Sequence, residues 1–226
     1  MSRFITIEGI EGAGKSTLRS RLSDFAASLS LEVVITREPG ATVLGQSVRS
    51  IVLDPKNKKI HPVAELMLFC ADRAQHLEEV VRPALERGAI VFCDRYVHST
   101  IAYQGYGRGL DRARLEQLNA LVTQGLMPDL VLLLDLPPEV GLDRARQRTR
   151  KASGSFQAQE IQDALAGSHS WSRFEEQELA FHQRVRSGFL ELAKDPVNNI
   201  VVLNAAQNPE QVAEAAIDAI KKLLGK

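Results

Sequence analysis

The chain alternates short apolar runs with longer amphipathic stretches. The apolar runs are Phe4-Ile5-Thr6-Ile7, Val33-Val34-Ile35, Ile90-Val91-Phe92-Cys93, Leu130 to Leu134 and Ile200 to Leu203, each bounded by polar or turn residues. None alternates strictly between apolar and polar positions, so each predicts a strand covered on both faces, as in a parallel sheet between two layers of helix. Apolar residues elsewhere recur at helical spacing, with Leu18, Leu22, Phe25 and Leu29 forming one stripe. Further helices are predicted over roughly Val63 to Arg87 with a break near Pro83, Asp111 to Gln124, Pro138 to Arg148, Ser172 to Leu192 and Pro209 to Leu224. The expected fold is α/β, a five-stranded parallel sheet flanked by helices on both faces, in one domain over residues 1–226. No internal repeat is visible.

One stretch breaks the pattern. Residues 151–170 are small, polar and weakly periodic, which reads as a mobile excursion between two helices. It follows the basic segment Arg144, Arg146, Arg148, Arg150, Lys151 and precedes Ser172-Arg173-Phe174-Glu175, so a lid over about 144–173 is expected.

Composition narrows the class of partner. The 28 basic and 28 acidic residues among 226 balance, so no general attraction to nucleic acid or to an anionic membrane is expected, and any basic site must be local. Cys70 and Cys93 both sit in apolar runs and predict buried free thiols rather than a disulfide framework or a zinc site. No apolar run approaches a membrane span and the chain enters a strand directly, so a cytoplasmic protein is expected.

Gly9-Ile10-Glu11-Gly12-Ala13-Gly14-Lys15-Ser16 matches G-x-x-x-x-G-K-[ST] between a predicted strand and a predicted helix. Gly9, Gly12 and Gly14 lack a Cβ, so the backbone can turn its N–H groups around a polyphosphate. Lys15 would reach the β/γ-phosphates and the Ser16 hydroxyl would ligate Mg²⁺. Such a loop leaves ATPase, GTPase, kinase and motor undecided. The nearest approach to a guanine-reading N-K-x-D, Asn57-Lys58-Lys59-Ile60, lacks the final carboxylate, which disfavours a GTPase.

Three other clusters carry chemistry. Asp94-Arg95-Tyr96 ends a predicted strand, where open α/β sheets place their ligands; Asp94 could hold Mg²⁺ and Arg95 could fork onto a phosphate. Asp135 is a rival for the metal, but Pro137 and Pro138 follow it and favour a structural role. Thr36-Arg37-Glu38-Pro39-Gly40 ends another strand, and its Pro-Gly turn is expected to aim Arg37 and Glu38 into the crevice. Phe69 and Arg73, four residues apart, share a helix face and could stack on a base and bond its carbonyl oxygen; core packing is the competing reading of Phe69. His61, His76, His98 and His169 read as surface or packing residues.

The ordered set Glu8 to Ser16, Thr-Arg-Glu-Pro-Gly (36–40), Ala-Asp-Arg-Ala-Gln-His (71–76), Asp-Arg-Tyr-x-x-Ser-Thr-x-Ala-Tyr-Gln-Gly (94–105) and Pro-Asp-Leu-x-Leu-x-Leu-Asp (128–135) resembles bacterial thymidylate kinase over nearly the whole chain. The resemblance implies a P-loop kinase fold with an arginine-bearing lid, usually a homodimer, in which ATP with Mg²⁺ phosphorylates dTMP to dTDP on the way to dTTP. It implies that Gly9 to Thr17 (Gly9, Ile10, Glu11, Gly12, Ala13, Gly14, Lys15, Ser16, Thr17) wrap the donor phosphates. Phe69 would stack on thymine and Arg73 bond its O4, with Ser99, Thr100 and Gln104 near the base and Pro39 walling the pocket. Tyr103 would pack by the deoxyribose and disfavour a 2′-hydroxyl. Arg95 would bind the dTMP phosphate with Arg37 close by, and Glu11 would face the 3′-hydroxyl. Kinases for another pyrimidine deoxynucleotide or nucleoside, and a non-catalytic nucleotide-binding switch, are the alternative readings.

In such a transfer the acceptor is a phosphate oxygen already largely ionised at neutral pH, so no general base is needed. Two unit charges about 4 Å apart repel by roughly 4 kcal/mol at an effective dielectric of about 20, so catalysis must come from cations that neutralise and align the pair. Some members of the family carry an arginine inside the phosphate loop. Here that stretch is Glu11-Gly12-Ala13, so the expectation is that a lid arginine, Arg148, Arg150 or Arg173, completes the site on closure. Two departures from the family pattern are Ala41, where relatives have glycine, and the long insertion before Ser172. The adenine pocket falls near Asn204-Ala205-Ala206.

Overall fold

A computed structural model of the chain describes residues 2–28, 31–154 and 172–225, and among residues 149–154 the backbone only. Leu29, Lys151 to Ser170 and the side chain of Arg150 therefore fall wholly or partly outside the described residues. The five predicted strands form, as β1 (Arg3–Glu8), β2 (Val33–Arg37), β3 (Ile90–Asp94), β4 (Leu130–Asp135) and β5 (Ile200–Asn204). They make one parallel sheet in the order β2-β3-β1-β4-β5. The three inner strands are buried along nearly their whole length. The outer two are only partly covered, with Ile35 and Val202 in solvent, so burial on both faces holds for the centre of the sheet and not for its edges.

Helix α1 (Lys15–Ala27) leaves the phosphate loop and buries Leu18, Leu22 and Ala26 at four-residue spacing against the sheet. Two helical segments went unread in the pattern. Helix α2 (Val43–Leu53) is capped by Thr42, whose Oγ1 accepts the N–H of Gly45 at 2.9 Å, and its apolar residues are split between core and solvent, which blurs the period. The chain after β3 forms a short helix α5 (Val97–Thr100) that widens into a π-turn over Ile101–Gly107. The long helix expected to end at Arg87 is α3 (Pro62–His76), a π-turn (Leu77–Val81) and α4 (Arg82–Glu86). Pro83 has no N–H to give to the preceding turn, and the chain absorbs that by widening the turn upstream.

Helix α6 (Arg112–Thr123) is capped by Asp111, and α9 (Pro209–Leu224) by Asn208. Helix α7 runs Pro138–Gly154, past the expected end at Arg148. Helix α8 begins at Leu179, ends at Leu192, and does not extend back to Ser172. Residues 173–176 are turns, with Arg173, Phe174 and Glu175 buried. Both cysteines are free and buried.

Candidate active site

Register brings the C-terminal ends of the strands together. Ile7 of β1 lies opposite Asp94 of β3, and Asp94 lies opposite Arg37 of β2, so Glu8, Arg95 and Glu38 all start from one edge. The phosphate loop leaves β1 with Gly9, Gly12 and Gly14 at positive φ. A Cβ on Gly12 would lie 2.0 Å from the carbonyl oxygen of Gly141, so only glycine fits there. Lys15 Nζ donates to the carbonyls of Gly9 and Ile10 at 2.9 and 2.8 Å. Burial, with Arg95 adding to it, brings the Lys15 ammonium down to about 8.

The loop from Glu11 to Leu18 lines a cavity of 670 Å³ together with Arg144, Arg148, Ala205, Gln207 and Pro209. The helix N-terminus and the exposed hydroxyl of Ser16 suit an anion and its cation at this end. Arg144 Nη1 donates to the carbonyl of Ala205 at 3.1 Å and fixes the far wall. Of the residues expected near an adenine, Ala205 lines this cavity.

A second cavity, of 200 Å³, is walled by Pro39, Phe69, Arg73, Tyr96, Ser99, Thr100, Tyr103, Gln104 and Phe174. Arg73 is held rigidly: Nε donates to Glu38 Oε2 at 2.8 Å, and Nη1 donates to Thr100 Oγ1 at 3.0 Å and Asn119 Oδ1 at 2.9 Å. Glu38 Oε1 also meets His76 Nδ1 at 2.9 Å, and His76 Nε2 meets Thr36 Oγ1 at 2.7 Å, so His76 is a packing residue inside this network. The rings of Phe69 and Phe174 stand 6.2 Å apart, and that of Tyr103 is edge-on to Phe174 at 5.5 Å.

Glu11, Arg49, Arg95, Arg148 and Glu175 line both cavities, which therefore meet at a charged wall. Arg95 has φ 71, a conformation rare outside glycine, and its guanidinium lies 4.8 Å from the centre of the Tyr103 ring. Its Nη2 donates to Glu11 Oε1 at 3.0 Å, and the Tyr103 hydroxyl donates to the same oxygen at 2.7 Å. His182 Nδ1 lies 3.3 Å from Glu11 Oε2. Burial alone would raise the Glu11 carboxyl, but His182, Arg95 and Lys15 together hold it far below the usual carboxylate range.

Several placements differ from expectation. Arg37 does not line the aromatic-walled cavity. Glu38 turns in to Arg73 and His76, while Arg37, the last residue of β2, lines a separate groove with Arg19, Thr36 and Val80. Arg173 does not face the phosphate loop either. It is 2% exposed, paired with Glu65, and donates to the carbonyl of Val52 at 3.1 Å. Arg148 does reach the wall, with Nη2 donating to Glu175 Oε1 at 2.8 Å, while the Arg150 side chain lies outside the described residues. Asp135 is taken by Arg186 through both oxygens at 2.7 and 2.9 Å, the structural role read for it. Sequence reasoning passed over Arg49, whose Nη1 donates to the carbonyl of Pro39 at 3.0 Å, and His182. Neither lies in a motif; the nearest signal is helical spacing, from buried Gly45 for the one and from buried Val185 and Phe189 for the other.

A glycine cradle and an aromatic-walled pocket that share one charged wall are the plan of a P-loop kinase, which passes a phosphoryl group between two bound molecules. A family model described as thymidylate kinase matches residues 7–216. The chain is 48% identical over 217 residues to the thymidylate kinase of Trichlorobacter lovleyi, with 96% of each chain covered. It is 47% identical over 221 residues to that of Desulfovibrio desulfuricans, covering 98% of this chain and 96% of the relative. The crystal structure of thymidylate kinase from Ehrlichia chaffeensis matches with a TM-score of 0.72 at 31% identity, over 97% of this chain and 98% of that one. The chain belongs to the thymidylate kinase family.

Proposed function

We propose that the chain phosphorylates dTMP to dTDP with ATP as donor. The observation that carries this is the shared wall: a donor cavity built on Lys15 and a nucleoside cavity built on Phe69 and Arg73 open onto the same arginines. Thymine stacks on Phe69 between Pro39 and Tyr103, with Arg73, Thr100 and Gln104 toward its polar edge. The held geometry of Arg73 supports this, because a guanidinium already fixed by Glu38 and Asn119 loses little freedom on binding a base. Arg95 holds the acceptor phosphate, Lys15 and the loop amides hold the donor, and Arg148 is the described lid arginine placed to reach the group in transfer.

Asp94 Oδ1 is buried with no hydrogen-bond partner among the described residues, and the Ser16 hydroxyl opens on the donor side; these hard oxygen donors fit Mg²⁺. When bound there, Mg²⁺ supplies neutralisation of the donor phosphate charge. The chain's own contribution is alignment: Arg95, just after β3, and Lys15, at the start of α1, hold two anions tip to tip.

Homodimerisation belongs to the same reading, supported by apolar side chains that α2 and α3 leave in solvent, among them Val43, Leu44, Ile51, Val63 and Met67. Among the described residues no helix is long and apolar enough to cross a membrane, which is consistent with the cytoplasmic location we propose. The test is a coupled ADP-release assay with ATP against dTMP, dUMP, UMP and thymidine. Turnover should be greatest with dTMP; a preference for thymidine, or ATP binding without dTMP binding in calorimetry, overturns the reading.

A further inference from the structure

Behind Arg95 lies a carboxylate with no part in holding either substrate. Glu8, the last residue of β1, is 0% exposed. Its Oε1 accepts the backbone N–H of Tyr96 at 2.8 Å, and its Oε2 accepts the Ser99 hydroxyl at 2.6 Å. Ser99 Oγ in turn accepts Nη1 of Arg95 at 3.2 Å. The Arg95 N–H donates to the carbonyl of Ile7 at 3.0 Å, next to Glu8 in the chain.

These contacts bear on the strained point of the site. A left-handed conformation at a residue with a side chain persists only where its surroundings over-determine it. At Arg95 the peptide before it is tied to Ile7 and the peptide after it to Glu8, while the tip of its guanidinium is tied to Glu8 through one hydroxyl. Burying a carboxyl group is costly, and a core serving only packing would not need one here. Glu8 also immediately precedes Gly9, where the donor loop begins.

We propose that Glu8 is a positioning residue for Arg95: it fixes the direction of the arginine relative to the start of the phosphate loop, so that one side chain sets both phosphate-holding elements. This rests on the reading of Arg95 as the acceptor-phosphate ligand. Glu8→Gln tests it without a change of size. The amide oxygen can still accept from Tyr96, but the amide nitrogen then faces Ser99 and cannot accept its proton.

The experiment is calorimetry of dTMP and of thymidine, which is the same nucleoside without the phosphate, on wild type, Glu8→Gln, Ser99→Ala, the double variant and Arg95→Met. Glu8→Gln and Ser99→Ala should each weaken dTMP binding about tenfold and move thymidine binding by less than about twofold. The double variant should be no weaker than the weaker single one, because both cut one path. Equal losses for dTMP and thymidine would make Glu8 a support for the whole pocket and overturn the proposal. So would dTMP binding that survives Glu8→Gln and Ser99→Ala while Arg95→Met abolishes it. Undiminished dTMP binding by Arg95→Met would instead sink the reading of Arg95, and the proposal with it.

Discussion

Glu8 gives the site a pH signature as well as a geometry. Burial pushes its carboxyl up to about 7 from 4.5, against the pull of Ser99, Arg95 and Tyr96. The folded chain therefore keeps a proton there that the unfolded chain has released. The resulting stabilisation is fully present below about 4.5 and is lost as the pH rises through about 7, an effect on the order of 3 kcal/mol. Asp72, raised to about 6 chiefly by burial, acts with the same sign. Thermal unfolding between about pH 5 and pH 8 should thus cost wild type more stability than Glu8→Gln, while equal losses would place the dependence elsewhere. At this scale, residues inside motifs were legible in the sequence: Lys15, Arg95, Phe69 and Arg73 all face the cavities as their spacing implied. Arg49 and His182 were not, because a lone arginine or histidine on a helix gives no sign of which cavity a distant strand will place before it. Arg37, expected in the crevice beside Glu38, lines a neighbouring groove.

Among the elements, the two segments flanking residues 155–171 divide the arginines by job. Arg148 on α7 has a side chain 62% exposed beside both cavities, whereas that of Arg173 is 3% exposed on Glu65. Arg148→Ala should cost less stability than Arg173→Ala, because buried Glu175 keeps the backbone N–H of Ser172, and should lower kcat by about a hundredfold, the usual loss for one transition-state donor. Arg173→Ala should instead cost about 2 kcal/mol in denaturant unfolding, since it removes one of the two arginines on buried Glu65 and leaves Arg108 and Gln104 to hold it, with kcat largely kept. The opposite assignment of effects would show that Arg173 leaves Glu65 to act on the phosphates. Strands and most helices were legible because apolar runs and stripes report burial directly. The π-turns over Leu77–Val81 and Ile101–Gly107 were not, since a widened turn depends on what must be accommodated, Pro83 in the first case, rather than on any residue period.

For the molecule as a whole, the parallel five-stranded sheet followed from apolar runs separated by helices, and its strand order places the loop after β1 beside Arg95, which follows β3. The exposed apolar face of α2 and α3 was less legible, because exposed apolar residues look like core residues in a sequence. If the chain dimerises through α2 and α3, as proposed, the wild type should sediment as a dimer and Met67→Asp as a monomer, and a wild-type monomer or an unchanged sedimentation coefficient in the variant would overturn that interface. The contact between Gly12 and Gly141 reaches across these parts. A Cβ on Gly141 would sit 2.4 Å from the carbonyl oxygen of Glu11, just as one on Gly12 would strike Gly141, so the loop and the first turn of α7 touch backbone to backbone. With no side chain between them to act as a cushion, any tilt of the arm that carries Arg148 has either to pivot on that bearing or to drag the cradle along with it.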